Sequence, residues 1–401
     1  MATFVQTATR WAREQAVRMG RPVAIQFNNT TMGACSAASD MNPAGHGMGT
    51  AAVNLMQLNP AAGGWLALSY PPTAACIGMA LLLGFKRIVW NDGADRGLKI
   101  SRDAVLPETG EAARVQQSDK TNYADDHASA ARFVFPALAQ RPLANFVPPG
   151  GIADLIQDIP GDDEVRDGIA MRLAFAIVAL TFGPNSLNAA RGAAYQGQNI
   201  GSVLVDNTYR ILAWGLNTNT ANATFHGEMN LINAYQMATA GASLPAGSRL
   251  FSTLEPCAMC SGMITHTASA GAISVVSAQQ DPHLSYTALR AGLLLDGCSG
   301  QARRVHHEYS RAPFHAAKST FHNGLTATDT RRYLEQTQIQ VSGGPRPMQT
   351  TRFLEQHAGE AMLDHIRILL MQAAVWLPAN QRAAWRAKLS AFARHVVRAT
   401  S

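Results

Sequence analysis

Two short patterns in the second half of the chain carry residue types that do chemistry together. His226-Gly227-Glu228 places a carboxylate two residues beyond an imidazole. Pro256-Cys257-Ala258-Met259-Cys260 places two thiols one helical turn apart. One imidazole and two thiolates are borderline-to-soft donors suited to zinc, and three protein ligands leave a fourth tetrahedral position open for water. Zinc lowers the pKa of such a water toward neutrality. Glu228 is placed to touch that water without binding the metal, so it suits the role of proton carrier. Taken singly, each pattern has a plainer reading. The triplet alone is a helix N-terminus with a capping acid. The cysteine pair alone is a redox pair, half of a structural zinc site, or two buried small residues. A redox pair belongs after the first strand of a thioredoxin-like unit, and a structural zinc needs a second cysteine pair or two histidines at finger spacing; neither context is evident.

The elements that must position these residues follow from periodicity. Arg166 to Phe182 is apolar at helical spacing. Gly201–Val205 and Ile211–Trp214 are strand candidates joined at the turn signal Asp206-Asn207, a hairpin. His226 opens a helix running to about Ala240. Arg249–Thr253 is a strand, Pro256-Cys257 opens a helix to about Ala268, and Ala272–Val276 is another strand. Tyr286–Leu295 looks helical and Arg304–His306 is a short last strand. This alternation describes a three-layer α/β domain with both halves of the ligand set at helix N-termini. A helix N-terminus favours thiolate over thiol.

In that order and context, H-x-E followed by P-C-x-x-C is the signature of zinc deaminases. Leu254 to Met263 and His226-Gly227-Glu228-Met229-Asn230 resemble the bacterial tRNA adenosine deaminases, and Ala278-Gln279-Gln280-Asp281-Pro282 resembles the stretch after their fourth strand. The resemblance covers about residues 166 to 310. It implies a cytidine-deaminase-like fold of the branch whose last two strands run parallel, a branch that includes RNA- and DNA-editing deaminases. Free cytidine deaminases instead end in a hairpin. It further implies Zn2+ on His226, Cys257 and Cys260, proton transfer by Glu228, and contact with the substrate base by Asn217. Gly227 stands where the family usually has Ala.

The first half repeats the second in weaker form. Val23–Phe27 reads as a strand, His46-Gly47-Met48 opens a helical stretch, and Leu66–Ser69 is a strand. Pro72-Thr73-Ala74-Ala75-Cys76-Ile77-Gly78-Met79 then aligns with Pro256–Met263 at Pro, the final Cys and Gly-Met. The spacing from His to Pro is 26 residues (46 to 72) in the first half and 30 (226 to 256) in the second, which reads as a duplicated domain. Met48 replaces the carboxylate and Thr73 the first thiol, so two of the site's roles are lost. The expectation is an inactive deaminase-like domain that either completes a substrate surface, as in tRNA-editing heterodimers and two-domain cytidine deaminases, or only supports the active one. His306-His307-Glu308 with His315 and His322 reads better as strand and loop histidines than as a second metal site. Gly45–Gly49 lacks the lysine and spacing of a phosphate loop.

The 401 residues are 47% hydrophobic and 15% charged, a globular composition. The divisions read are a degenerate domain over 1–145, a linker rich in breakers and acids over 146–165, a catalytic domain over 166–325, and a helical basic extension over 326–401. The net charge of +6 and pI near 9.2 suit an anionic partner. So do Arg367, Arg382, Arg386, Lys388, Arg394 and Arg398, which follow the last acidic residue, Asp364; a solvated helix face is the plainer reading of them. Five scattered cysteines (Cys35, Cys76, Cys257, Cys260, Cys298) do not form a disulfide framework. Neither a signal peptide nor a bilayer-spanning run is evident, so a reducing cytoplasm is expected. Together these readings favour hydrolytic deamination of cytosine or adenine within RNA or single-stranded DNA. The alternatives are a free base, nucleoside or small heterocycle as substrate, or a non-enzymatic nucleic-acid-binding protein with a structural zinc. The two repeats are expected to pair within one chain or to form a homodimer.

Overall fold

The computed structural model describes residues 4–20, 22–27, 32–37, 51–58, 64–91, 95–100, 105–108, 146–181, 192–198, 200–220, 222–254, 256–268, 273–277, 305–309, 338–341, 344–347 and 377–401. The first repeat runs α1 (Phe4–Met19), β1 (Val23–Phe27), β2 (Met32–Ala37), α2 (Ala51–Leu58), β3 (Trp65–Leu68), α3 (Ala74–Leu82), β4 (Arg87–Asn91), β5 (Asp95–Ile100) and β6 (Val105–Glu108). The second half begins with a short helix α4 (Gly150–Ala153) and α5 (Asp163–Leu180). It continues through β7 (Gly201–Val205), β8 (Ile211–Leu216), α6 (Gly227–Ala238), β9 (Arg249–Ser252), α7 (Ala258–Thr267), β10 (Ile273–Ser277) and β11 (Val305–Tyr309). A hairpin of β12 (Gln338–Val341) and β13 (Gly344–Pro347) and a long helix α8 (Ala379–Thr400) follow.

The two main sheets share a plan. The first is ordered β2-β1-β3-β4-β5-β6 and the second β11-β10-β9-β7-β8. In each, the opening hairpin is antiparallel, the third strand pairs antiparallel with the first, and the fourth pairs parallel with the third. The fifth strand separates them. β5 turns back antiparallel on β4, whereas β11 runs parallel to β10, as the resemblance implies for the second repeat.

Strand alternation sorts side chains onto two faces of each sheet. In the first sheet Val23, Ile25, Phe27, Trp65, Ala67 and Val89 pack with Ala8, Trp11 and Ala12 of α1. Ala24, Leu66, Leu68, Ile88 and Trp90 point the other way, toward α2 and α3. In the second sheet Val203, Val205, Phe251 and Val276 meet α5 and α8, while Leu204, Leu250 and Val275 meet α6 and α7. The α2/α3 layer of the first repeat and the α6/α7 layer of the second belong to one continuous buried cluster. The repeats therefore pack face to face within one chain, through the helices that carry the deaminase-like patterns.

Two expectations about the segments that flank the second repeat change. The 146–165 stretch does not read as a free linker in the structure. Phe146, Ile152, Leu155, Ile156 and Ile159 are buried in the second core, because its prolines and glycines bend the chain while the apolar residues between them find cover. The extension is not helical throughout, since β12 and β13 pair antiparallel within it. Its last helix is an integral part of the fold. Trp385, Phe392, Val396 and Ala399 of α8 are buried, and the Trp385 indole donates to the Leu155 carbonyl at 2.7 Å. Lys388 is paired with Asp158 and Arg382 donates to the Leu377 carbonyl, leaving Arg386, Arg394 and Arg398 exposed on α8. Arg367, Tyr286–Leu295 and Ala278–Pro282 lie outside the described residues. No described helix is long and apolar enough to cross a membrane.

Candidate metal centre and active site

His226 is the N-cap residue of α6 and Cys257 the N-cap residue of α7, with Cys260 in the first turn of α7. Neither side chain is spent on capping its own helix. Two features bring the helix starts together. β9 leads directly to the cysteine turn, and β8 leads to the loop that ends at His226. Thr218 N–H donates to the Phe225 carbonyl, and Asn230 of α6 donates to the Leu216 carbonyl at 2.7 Å and to the Thr218 hydroxyl at 3.0 Å. These bonds close the loop and fix the start of α6 against the end of β8.

The three donor atoms form a compact triangle. His226 Nδ1 lies 3.5 Å from Cys257 Sγ and 3.6 Å from Cys260 Sγ. The two sulfurs are 3.7 Å apart. A tetrahedral zinc with its usual bond lengths requires edges of about 3.5 Å between nitrogen and sulfur and about 3.8 Å between sulfurs. The triangle therefore fits three corners of a zinc tetrahedron, and it is the one such group among the described residues. Cys260 beside it and then His226 hold the Cys257 thiol well below the ordinary thiol range. Burial, then the Cys257 sulfur, pushes Cys260 well above it.

Glu228 is 3% exposed, so its carboxylate is available only to groups inside the site. Burial raises its pKa, against a hydrogen bond from Ser252. That hydroxyl, at the end of β9, donates to Glu228 Oε1 at 2.7 Å. The carboxylate also interacts electrostatically with His226, Cys257 and Cys260. A buried carboxyl beside three metal-type donors, but outside their triangle, is the arrangement expected of a proton carrier.

Asn217, fully buried at the C-terminal edge of β8, accepts a short hydrogen bond from Gly227 N–H through its side-chain oxygen. It thus holds the turn between His226 and Glu228. The absence of a side chain at Gly227 also has a local reason. A Cβ there would lie 3.3 Å from Asn217 Oδ1 and Ser202 Oγ and 3.4 Å from the Ile200 carbonyl, so the turn sits tightly on β8. Ser252 carried no sequence signal as a site residue. It lies 24 positions from Glu228, and only the pairing of β9 beside β7 and the packing of α6 bring them together.

The corresponding turn of the first repeat is built differently. Thr73 is the N-cap residue of α3, and its hydroxyl accepts from Cys76 N–H at 3.3 Å and donates toward Cys76 Sγ at 3.2 Å. Tyr70 Oη lies 3.8 Å from the same sulfur and accepts from Ala52 N–H at 3.0 Å. Burial pushes the Cys76 thiol up. The position that Cys257 occupies in the second repeat is filled here by a threonine whose hydroxyl caps its helix. His46, Met48 and the glycines around them lie outside the described residues, as do His315 and His322. His306, His307 and Glu308 lie in β11.

The five-strand sheet, in which β9, β10 and β11 are mutually parallel and β7 pairs antiparallel with β8 and β9, and the two helix starts are the arrangement that the sequence resemblance implies. Residues 194–292 match the model of the Bd3614-like deaminases. Solved structures similar to the chain include one from a study of A-to-I editing by tRNA:A34 deaminases, at 27% identity over 27% of this chain and 82% of that one, with a TM-score of 0.23. A guanine deaminase from Nitrosomonas europaea is 16% identical over 43% of this chain and 90% of its own, with a TM-score of 0.28. A dCMP deaminase from the cyanophage S-TIM5 is 21% identical over 37% of this chain and 100% of its own, with a TM-score of 0.24. No curated protein sequence matches the chain.

Proposed function

We propose that the second repeat is a zinc-dependent hydrolase that deaminates a nucleobase, cytosine to uracil or adenine to hypoxanthine. The observation that carries this reading is the donor triangle of His226, Cys257 and Cys260 with a buried, non-ligating carboxylate beside it. Zinc, when bound, supplies Lewis acidity that brings a water to the point of losing its proton. Glu228 takes that proton and passes it to the ring nitrogen next to the amidine carbon, then helps protonate the departing amine. The carbon–oxygen bond forms as the ring carbon–nitrogen double bond becomes a single bond to the protonated nitrogen; the exocyclic carbon–nitrogen bond then breaks as the carbonyl forms, and one water is exchanged for one ammonia. Ser252 holds the carboxylate in place through these transfers. Asn217, buried beside the same turn, is the proposed contact to the base.

The proposed substrate is a base within RNA or single-stranded DNA, unpaired or flipped out. The net positive charge and the exposed Arg386, Arg394 and Arg398 support a polyanionic substrate. The test is sequencing of RNA and DNA from cells expressing the full chain, with Glu228→Ala as control. C-to-T or A-to-G changes that depend on Glu228 support the reading. Turnover of free bases or nucleosides, with no change in either polymer and no salt dependence of binding, contradicts the polymer substrate.

A further inference from the structure

The first repeat touches the metal-binding turn itself. α3 and α7 lie in extensive contact, and at Gly78 backbone meets backbone. A Cβ on Gly78 would stand 2.1 Å from the Ala258 carbonyl oxygen, 2.8 Å from its carbon and 3.0 Å from Met259 Cα. Ala258 and Met259 are the two residues between Cys257 and Cys260. The backbone that spaces the two thiols is thus seated on the bare backbone of α3. A second contact reaches the other half of the ligand set. Asn222, in the loop before His226, donates through Nδ2 to the Gln57 carbonyl at the end of α2, at 2.7 Å. Its Oδ1 accepts from Thr224 N–H at 3.0 Å and from the Thr224 hydroxyl at 2.7 Å, and its own carbonyl accepts from Phe225 N–H at 3.0 Å. Phe225 precedes His226.

On the reading that His226, Cys257 and Cys260 hold zinc, we infer that the first repeat is a built-in clamp that sets the spacing of all three ligands, with Gly78 and Asn222 as positioning residues. The clamp is contributed by a domain whose own ligand turn is capped by Thr73. Each contact bears on a different ligand-bearing segment, so loss of either leaves the triangle free to open. Both act through backbone position and neither touches the metal.

The test is zinc release from the zinc-loaded full chain to an excess of chromogenic chelator, well below the melting temperature. The variants are Gly78→Val, Asn222→Ala and, as a control, Trp11→Leu. Trp11 packs on the opposite face of the first sheet, against α1, so its loss destabilises the same repeat away from the clamp. Supporting interactions around a metal site are worth about 10–100-fold in affinity. Gly78→Val and Asn222→Ala are therefore expected to release zinc about 10–100-fold faster than wild type, with Trp11→Leu at the wild-type rate. Should Gly78→Val fail to fold, Asn222→Ala, which alters one loop side chain, decides the matter. Equal release by wild type and the folded clamp variants overturns the inference, as does equal acceleration by Trp11→Leu, which would show only general destabilisation. A wild-type chain with no zinc on these three residues overturns the site reading and the clamp together.

Discussion

Gly215→Ala should dismantle the candidate metal centre from outside it. Gly215 lies in β8, where α6 begins to cross the sheet. An added Cβ would lie 2.0 Å from the Gly227 carbonyl oxygen and 2.9 Å from Leu231 Cβ and Ser202 Oγ. The first of these distances is about 1.4 Å short of ordinary contact, and backbone stands on both sides. The first turn of α6 must therefore move off β8 by on the order of 1 Å, carrying His226 and Glu228 with it. A metal site tolerates ligand displacements of about 0.2 Å, so the donor triangle opens. Overpacking of this kind costs about 1–3 kcal/mol in stability, which lowers the melting temperature without preventing folding. Gly227→Ala is the matched comparison. Its Cβ meets its neighbours at 3.3–3.4 Å, so small local shifts absorb it and the cost stays below about 1.5 kcal/mol. Zinc content by elemental analysis and melting temperature, read on both variants, provide the assay. Gly215→Ala should lose most of its zinc, while Gly227→Ala keeps it. A Gly215→Ala protein with full zinc and wild-type turnover would refute the geometry argued for this turn.

Three further outcomes follow from burial and pairing. Asp167, 5% exposed, accepts from Tyr209 Oη at 2.8 Å and forms an ion pair with Arg249. Asp167→Ala leaves that arginine without its carboxylate and should cost about 3–5 kcal/mol in chemical denaturation; a change below about 1 kcal/mol would show the pair to be dispensable. Gly168→Ala, inside α5 with nothing within 4 Å of the added Cβ, should stabilise by about 0.5–1 kcal/mol through helix propensity. A lower melting temperature would count against that assignment of α5. Ser252→Ala removes the donor to the buried Glu228 carboxylate and should cost about 1–3 kcal/mol, with turnover falling while zinc stays bound. Unchanged turnover would remove Ser252 from the mechanism.

Most of the site was legible in the sequence because its signals are local. His226-x-Glu228 and Pro256-Cys257-x-x-Cys260 each sit at a helix start, and the strands before them are marked by apolar runs between turn residues, as in Gly201–Val205 and Ile211–Leu216. What the sequence did not show depends on distant pairings. Ser252 reaches Glu228 only through sheet order. Gly78 looked like a residue of a repeat, and its close approach to Ala258 appears only when α3 and α7 face each other. The stretch 146–165 hid its role because its prolines, glycines and acids read as a linker, although Ile152, Leu155, Ile156 and Ile159 keep the i, i+3, i+4, i+7 spacing of a buried face. The basic residues after Asp364 suggested a tail, but Trp385, Phe392 and Val396, spaced along one side of α8, tie that helix to the second core.

The central claim is that Glu228 moves protons beside a zinc it does not bind. Zinc content and turnover measured on one preparation of Glu228→Gln test it most directly. The amide keeps the shape of the side chain but cannot carry a proton, and a positioned acid–base group is worth about 10²–10⁴-fold in rate. The account predicts one zinc per chain, as in wild type, and turnover lower by that factor or more. Wild-type turnover with zinc retained would contradict it.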